Sequence, residues 1–407
     1  MNQDKLIRGF IFACTDKTEA ECLDSLLFAS EQMYGPIVMR IRQGDLLFLN
    51  NFDTNTLYGV FRAVSNGDFN LAPRALGKYP YQVKVAALGD KIAISDAKTV
   101  LTSFSMKRNT PLFRGKLIAF LNSFISADKR AGRKIDTQDN DSISLILEQA
   151  EIIKNSNAPV DIESEIPIIE STTFWDFAKQ SYGLTPKGNN KYPGVTPALI
   201  IYNMIWRYTK PGDLVVDPMC GSGTTIDVCK EEGRRVMGYD IYSTRPDIIQ
   251  SDARHIPLAD DTVDMVFIDS PYSDNIKYND QPGNIGKISS ESEEFYDELE
   301  KVMKESYRIL KDGKVLGWLI GDQWVKKKFT PVGFKIYERL CKYFEPVDVI
   351  CVSRKSQSSN TDMWHNRARR FNFYLRGFKY LIIMRKTTQT FDLGTPRKVE
   401  WACYKRG

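Results

Sequence analysis

The chain predicts an open, doubly wound α/β sheet behind a smaller α+β domain, on three observations. Its 407 residues exceed the length at which a single core usually stops growing, so two domains are expected. From residue 196 onward, apolar runs such as LVVD, RRVMGYD and TVDMVFIDS alternate with helical patterns, as they do in a largely parallel sheet. Residues 1–127 instead carry short runs punctuated by Asn, Asp and Gly, which suits a small curved sheet.

In the first domain, residues 7–14 and 37–41 read as strands, and TEAECLDSLLFAS between them has helical spacing through Cys22, Leu23, Leu26 and Leu27. DLLFLNNFDTNTLYGVFRAVS and YQVKVAAL supply further strands. Residues 128–170 are then poor in apolar groups except for ISLILEQAEIIKN, so a linker with one docked helix is expected there. The second domain, 171–407, begins its regular pattern with the helix TPALIIYNMIWRY, for which Thr196 is the expected N-cap and Pro197 the first helical residue. A helix over TTIDVCKEEG, a short strand at 247–250, a long helix over EEFYDELEKVMKESYRIL and a strand over KVLGWLI follow. VDVICVSRK and FKYLIIMRK read as a closing antiparallel edge hairpin.

Composition narrows the function. The seven cysteines form no close pairs and there are only two histidines, His255 and His365, which argues against a disulfide framework and a histidine-rich metal site. No run approaches the roughly eighteen apolar residues of a membrane span, and the start lacks a signal-peptide pattern, so a cytoplasmic protein without membrane contact is expected. The net charge of +5 is mild, yet residues 353–385 hold eight cations against the single acid Asp362. That local excess is an electrostatic footprint for a polyanion.

In DPMCGSGTT the apolar run ends at Asp217, and Gly221 and Gly223 precede a helix beginning near Thr224. Glycines after a strand let the backbone turn tightly and leave space for a ligand at the carboxyl edge of the sheet. No lysine follows Gly223, which argues against a phosphate-binding loop, and the third glycine of a dinucleotide fingerprint is missing, which weakens a dehydrogenase reading. Asp240, ending the next strand, can accept hydrogen bonds from both hydroxyls of a ribose. Asp252, further along, can receive an adenine amino group.

A second strand ends in Asp269, Ser270, Pro271 and Tyr272. A carboxylate and an adjacent carbonyl can accept both hydrogens of an amino group while an aromatic ring holds the base plane. Pro271 stiffens this edge by fixing its own φ and restricting Ser270. Residues 190–386 resemble the amino-group DNA methyltransferases, the adenine-N6 and cytosine-N4 class, through Asp217-Pro218-Met219-Cys220-Gly221-Ser222-Gly223-Thr224-Thr225 and Asp269-Ser270-Pro271-Tyr272. The resemblance implies a Rossmann-like sheet, S-adenosyl-L-methionine as cofactor and DNA as partner. It also implies that KYPGVTPALI closes over the methionine moiety. Asp217, Pro218, Cys220, Gly221, Gly223, Thr224, Asp240 and Asp252 would then hold the cofactor, and Asp269 to Tyr272 the target base. Asp269 favours adenine over cytosine by that analogy, and a cognate restriction nuclease is a partner that the chain itself does not specify. The family has two prolines in its tetrapeptide, whereas here Ser270 replaces the first. An RNA base-amino methyltransferase and a catalytically idle nucleic-acid or modified-base binding protein remain as alternatives.

An amino group inside a duplex must be extruded to reach such a pocket, so a phosphate-gripping surface is expected. Arg354, Lys355, Arg367, Arg369 and Arg370, with Trp364, Phe371, Phe373 and Tyr374 among them, read as a partly mobile substrate loop joining the last two strands. Lys277 and Tyr278 follow the catalytic edge and are candidate substrate contacts. The first domain resembles the development-and-cell-death domain and its PUA-like relatives through Gly9–Cys14, the Glu21-Cys22-Leu23 helix, Gly44-Asp45-Leu46-Leu47-Phe48-Leu49 and Leu57-Tyr58-Gly59-Val60-Phe61. That resemblance implies a substrate-reading role, with a scaffold or partner-binding role as the alternative.

Overall fold

The computed structural model describes residues 6–73, 75, 78–104, 111–130, 141–156, 166–274, 276, 280–325, 327–354 and 361–387. Among these, no helix is long and apolar enough to cross a membrane.

The amino-terminal sheet has seven strands: β1 (Arg8–Cys14), β2 (Leu27–Ser30), β3 (Leu46–Asn51), β4 (Thr56–Ala63), β5 (Asp68–Phe69), β6 (Tyr81–Ile94) and β7 (Leu112–Phe113). Their order is β2-β6-β4-β3-β1-β7 with β5 on β6, and only β1 and β3 run parallel. Helix α1 (Asp16–Ser25) ends where Leu26 turns to a φ of 50°. Leu27–Ser30, which helical spacing assigns to the same helix, instead pairs with β6 and buries Leu27 and Phe28. The stretch at 37–41 is not a strand. Pro36 cannot donate to a ladder but suits a first helical turn, and α2 (Gly35–Val38) forms there.

Helices α3 (Ala97–Ser103), α4 (Arg114–Arg130) and α5 (Asp141–Lys154) cover the other face. Phe120, Phe124, Ile146 and Ile153 join Phe48 and Leu57 in one apolar cluster, so α5 docks on the first unit. The Asp90 N–H donates to Ser142 Oγ at 2.6 Å and fastens the start of that helix.

The second sheet contains β8 (Phe174–Trp175), β9 (Leu214–Asp217), β10 (Arg235–Asp240), β11 (Ile248–Gln250), β12 (Val263–Asp269), β13 (Leu310–Ile320), β16 (Glu345–Ser353) and β17 (Phe378–Arg385), and a separate ribbon pairs β14 (Gln323–Val325) with β15 (Lys328–Thr330). The order is β11-β10-β9-β12-β13-β17-β16-β8. The first five are mutually parallel, while β17 runs antiparallel to both neighbours. This is the Rossmann-like α/β sheet expected. Its closing pair is no edge hairpin, because β17 is inserted between β13 and β16 and β8 adds a strand outside them. Helices α6 (Ala198–Tyr208), α7 (Thr224–Glu231), α8 (Glu293–Ile309), α9 (Val332–Leu340) and α10 (Asp362–Arg370) complete the unit. β10 and β12 flank β9 on opposite sides, which opens a crevice at the carboxyl ends of these strands.

The two units share one core. Phe28, Val38 and Tyr81 belong to the same apolar cluster as Tyr202 and Trp206 of α6. Gln32 Nε2 donates to the carbonyls of Trp206 and Thr209 at 2.9 and 2.6 Å, and Arg40 pairs with buried Glu232 at 2.9 Å. Glu232 also accepts from Tyr182 Oη and Trp206 Nε1, both at 3.0 Å.

Candidate active site

Asp217, Asp240 and Asp269 each close a strand at the crevice, and all three line one cavity of about 940 Å³, counting its open mouth. Pro218, Cys220, Gly221, Thr224, Asp252, Pro271 and Tyr272 line it too, as does the segment from Tyr192 to Thr196.

The turn after β9 needs its glycines. Gly221 and Gly223 have φ of 54° and 84°, where L side chains are strained, and Gly223 caps the amino end of α7. The Gly221 N–H donates to Asp240 Oδ2 at 2.9 Å and the Tyr242 N–H to Oδ1 at 3.1 Å. These donors orient the carboxylate at the cavity wall. Arg245, a residue no motif flags, braces the turn from behind by donating to the Ser222 carbonyl at 3.2 Å and pairing with Asp227 at 2.8 Å.

Burial sets the electrostatics. Asp217 accepts from the Met219 N–H at 3.0 Å and Thr225 Oγ1 at 2.5 Å, yet desolvation pushes its carboxyl up to about 7. Desolvation likewise raises Asp240, against the pull of its backbone donors. A cation in the cavity would relieve both. Asp252 lines the wall with its carboxylate engaged by Arg254, whose Nε lies 2.8 Å from one oxygen and whose Nη2 lies 2.5 Å from the other.

At the opposite wall, Asp269 is more heavily partnered than its motif suggests. Thr196 Oγ1 donates to Oδ2 at 2.7 Å, and Lys379 Nζ reaches Oδ1 and Oδ2 at 3.1 and 3.2 Å. Thr196 is thus not the N-cap of α6, a place Pro197 occupies; its hydroxyl is spent on the carboxylate. Ser270 differs from its expected role. Its side chain is buried in the core, where Oγ accepts from Trp318 Nε1 at 3.0 Å. The residue that departs from the family pattern consequently puts no side chain into the cavity.

A second, wider cavity of about 2350 Å³ shares Tyr192, Tyr272 and Lys379 with the first. Arg354, Arg376, Trp364, Phe373 and Tyr374 line it. Instead of a loop, α10 stands in the stretch joining β16 and β17, with Arg367, Arg369 and Arg370 exposed on it. Lys277, Tyr278 and Lys355 lie outside the described residues. Among the described residues, no group of three or more potential metal ligands occurs.

Two segments match family models: residues 263–401 match the DNA methylase family, and residues 8–107 match the development and cell death domain. The DCD domain-containing protein NRP-B of Glycine max is 37% identical over 91 residues, covering 20% of this chain and 28% of that protein. The type II methyltransferase M2.DpnII of Streptococcus pneumoniae is 43% identical over 54 residues, covering 13% and 20%. The DNA adenine methyltransferase YhdJ of Escherichia coli (strain K12) is 35% identical over 69 residues, covering 17% and 23%. The chain spans a minor part of the length of each of these relatives, and both resemblances drawn from its motifs are borne out.

Proposed function

We propose that this chain, in which a development and cell death domain precedes a DNA methylase segment, is an S-adenosylmethionine-dependent DNA methyltransferase acting on an exocyclic amino nitrogen, with adenine N6 preferred to cytosine N4. The observation that carries the reading is a single cavity with the Gly221 turn and Asp240 on one wall and Asp269 and Tyr272 on the other. The preference for adenine is supported by Asp269 at the head of the tetrapeptide and by the similarity to a protein named as a DNA adenine methyltransferase.

The residues fit the cofactor. Asp240, a carboxylate at the cavity wall, suits the hydroxyls of a ribose, and the desolvated carboxyls of Asp217 and Asp240 favour a cation beside them. When bound, S-adenosylmethionine supplies a methyl carbon already activated by its sulfonium. Asp269 accepts a hydrogen of the base amino group and draws the nitrogen lone pair out of conjugation, while the Tyr272 ring fixes the base plane. The chain's contribution is position and charge. The wide cavity at Arg354 and Arg376 takes the strand that carries the extruded base.

Incubation with methyl-labelled S-adenosylmethionine and separate DNA and RNA pools tests the proposal. Label in DNA is expected. Label in RNA alone would move the substrate to that polymer, and label in neither would end the reading.

A further inference from the structure

In the sequence, Lys379 is one cation among eight between residues 353 and 385; in the fold it stands inside the site. β17 returns antiparallel to β13, so its first residues arrive at the edge where β12 ends. The Lys379 side chain is 9% exposed and lines both cavities, and its Nζ lies 5.4 Å from the centre of the Tyr272 ring.

Hydrogen-bonding capacity then decides what the pair can do. An ionised carboxylate has about four acceptor positions. On Asp269 one is filled by Thr196 and two by Lys379, which leaves room for one incoming N–H. An ammonium has three N–H groups. The contacts of Lys379 with Asp269 use two at most, and the remaining donor has no partner among the described residues. An open acceptor thus sits beside an open donor on the wall that faces the base-holding tyrosine. Adenine and cytosine each present the complement of that pair, an amino group next to a ring nitrogen with a free lone pair. On its Watson–Crick side guanine instead sets a ring N–H beside its amino group.

We propose that Lys379 is a specificity-determining residue, donating a hydrogen bond to the ring nitrogen adjacent to the amino group that Asp269 accepts. The ion pair reads the N–C–NH2 edge of the target base as one unit. This inference rests on the reading of the cavity as an amino-methyltransferase site.

The test uses synthetic random-sequence DNA pools containing adenine or, in its place, 1-deazaadenine, which keeps the amino group and replaces the ring nitrogen with carbon. Matching pools compare cytosine with 3-deazacytosine. The unaltered protein should lose about tenfold to a hundredfold in kcat/KM on the deaza version of its target base, the cost of one hydrogen bond to a charged group. Lys379→Met should be slower on the parent base and show almost no further loss on the deaza base. Lys379→Arg, which keeps charge and donors, should retain part of the discrimination. Equal rates of the unaltered protein on parent and deaza pools would overturn the proposal, as would a Lys379→Met variant that keeps the full discrimination. If Lys379→Met does not fold, the unaltered protein's comparison still decides. Methyl transfer to neither parent base would remove the reading of the site, and this inference with it.

Discussion

Asp217, Asp240 and Asp269 crowd one sheet edge, and each is held differently. Asp217 bears the largest desolvation, with its carboxyl raised from 3.8 to about 7. A carboxyl raised in the folded state contributes stability that is fully present below its unfolded value and is lost as pH rises through its folded value. Asp217→Asn removes this dependence. In denaturant unfolding between pH 4 and 7.5, the unaltered protein should lose stability relative to the variant, on the order of a few kcal/mol. Parallel curves would contradict the burial argument. The three acids were legible in the sequence because each ends an apolar run. Their partners were not. Lys379 lies 110 residues from Asp269 and meets it only because β17 is inserted beside β13, and Thr196 reads locally as a cap, since a hydroxyl before Pro197 gives no sign of a carboxylate 73 residues away. Ser270 looked like a change at the catalytic edge, whereas the alternation of side chains along β12 turns it toward Trp318.

At the scale of elements, the turn from β9 into α7 is the least replaceable. A Cβ on Gly223 would meet the Arg245 guanidinium at 2.5 Å, and its φ of 84° costs an L residue about 1–2 kcal/mol. Gly223→Ala should therefore weaken S-adenosylmethionine binding about tenfold in calorimetry while the protein stays folded. Helix α10 gives a second expectation. If its exposed arginines grip phosphates, changing Arg367, Arg369 and Arg370 to Gln lowers the slope of log affinity against log salt by about 0.7–0.9 for each phosphate no longer neutralised. An unchanged slope would place α10 off the nucleic acid and leave the grip to Arg354 and Arg376. Most strands of the second sheet were readable from period and glycine stops, whereas β8 and the insertion of β17 beside β13 were not. The chain between β16 and β17 was harder, because the helix there is short and largely exposed, and so leaves little apolar period to read.

Across the whole molecule, the first unit is welded to α6 and α7 rather than tethered. Arg40 spans the boundary to Glu232, which is buried and also holds Tyr182 and Trp206. Arg40→Met would break the 2.9 Å ion pair of that buried carboxylate, at a cost of about 3 kcal/mol. Calorimetry should show a lower Tm and a broadened or split transition; a single unshifted transition would mean that the units do not stabilise one another. Nothing in the sequence announced this weld, since its members are 192 residues apart. The central claim is that this cavity moves a methyl group to a base nitrogen held by Asp269. Its most direct test is nucleoside mass spectrometry of DNA treated with trideuteromethyl S-adenosylmethionine and either the unaltered protein or Asp269→Ala. The account predicts trideuterated N6-methyladenine with the former and a loss of at least about a hundredfold with the latter. Equal labelling by both proteins would contradict it.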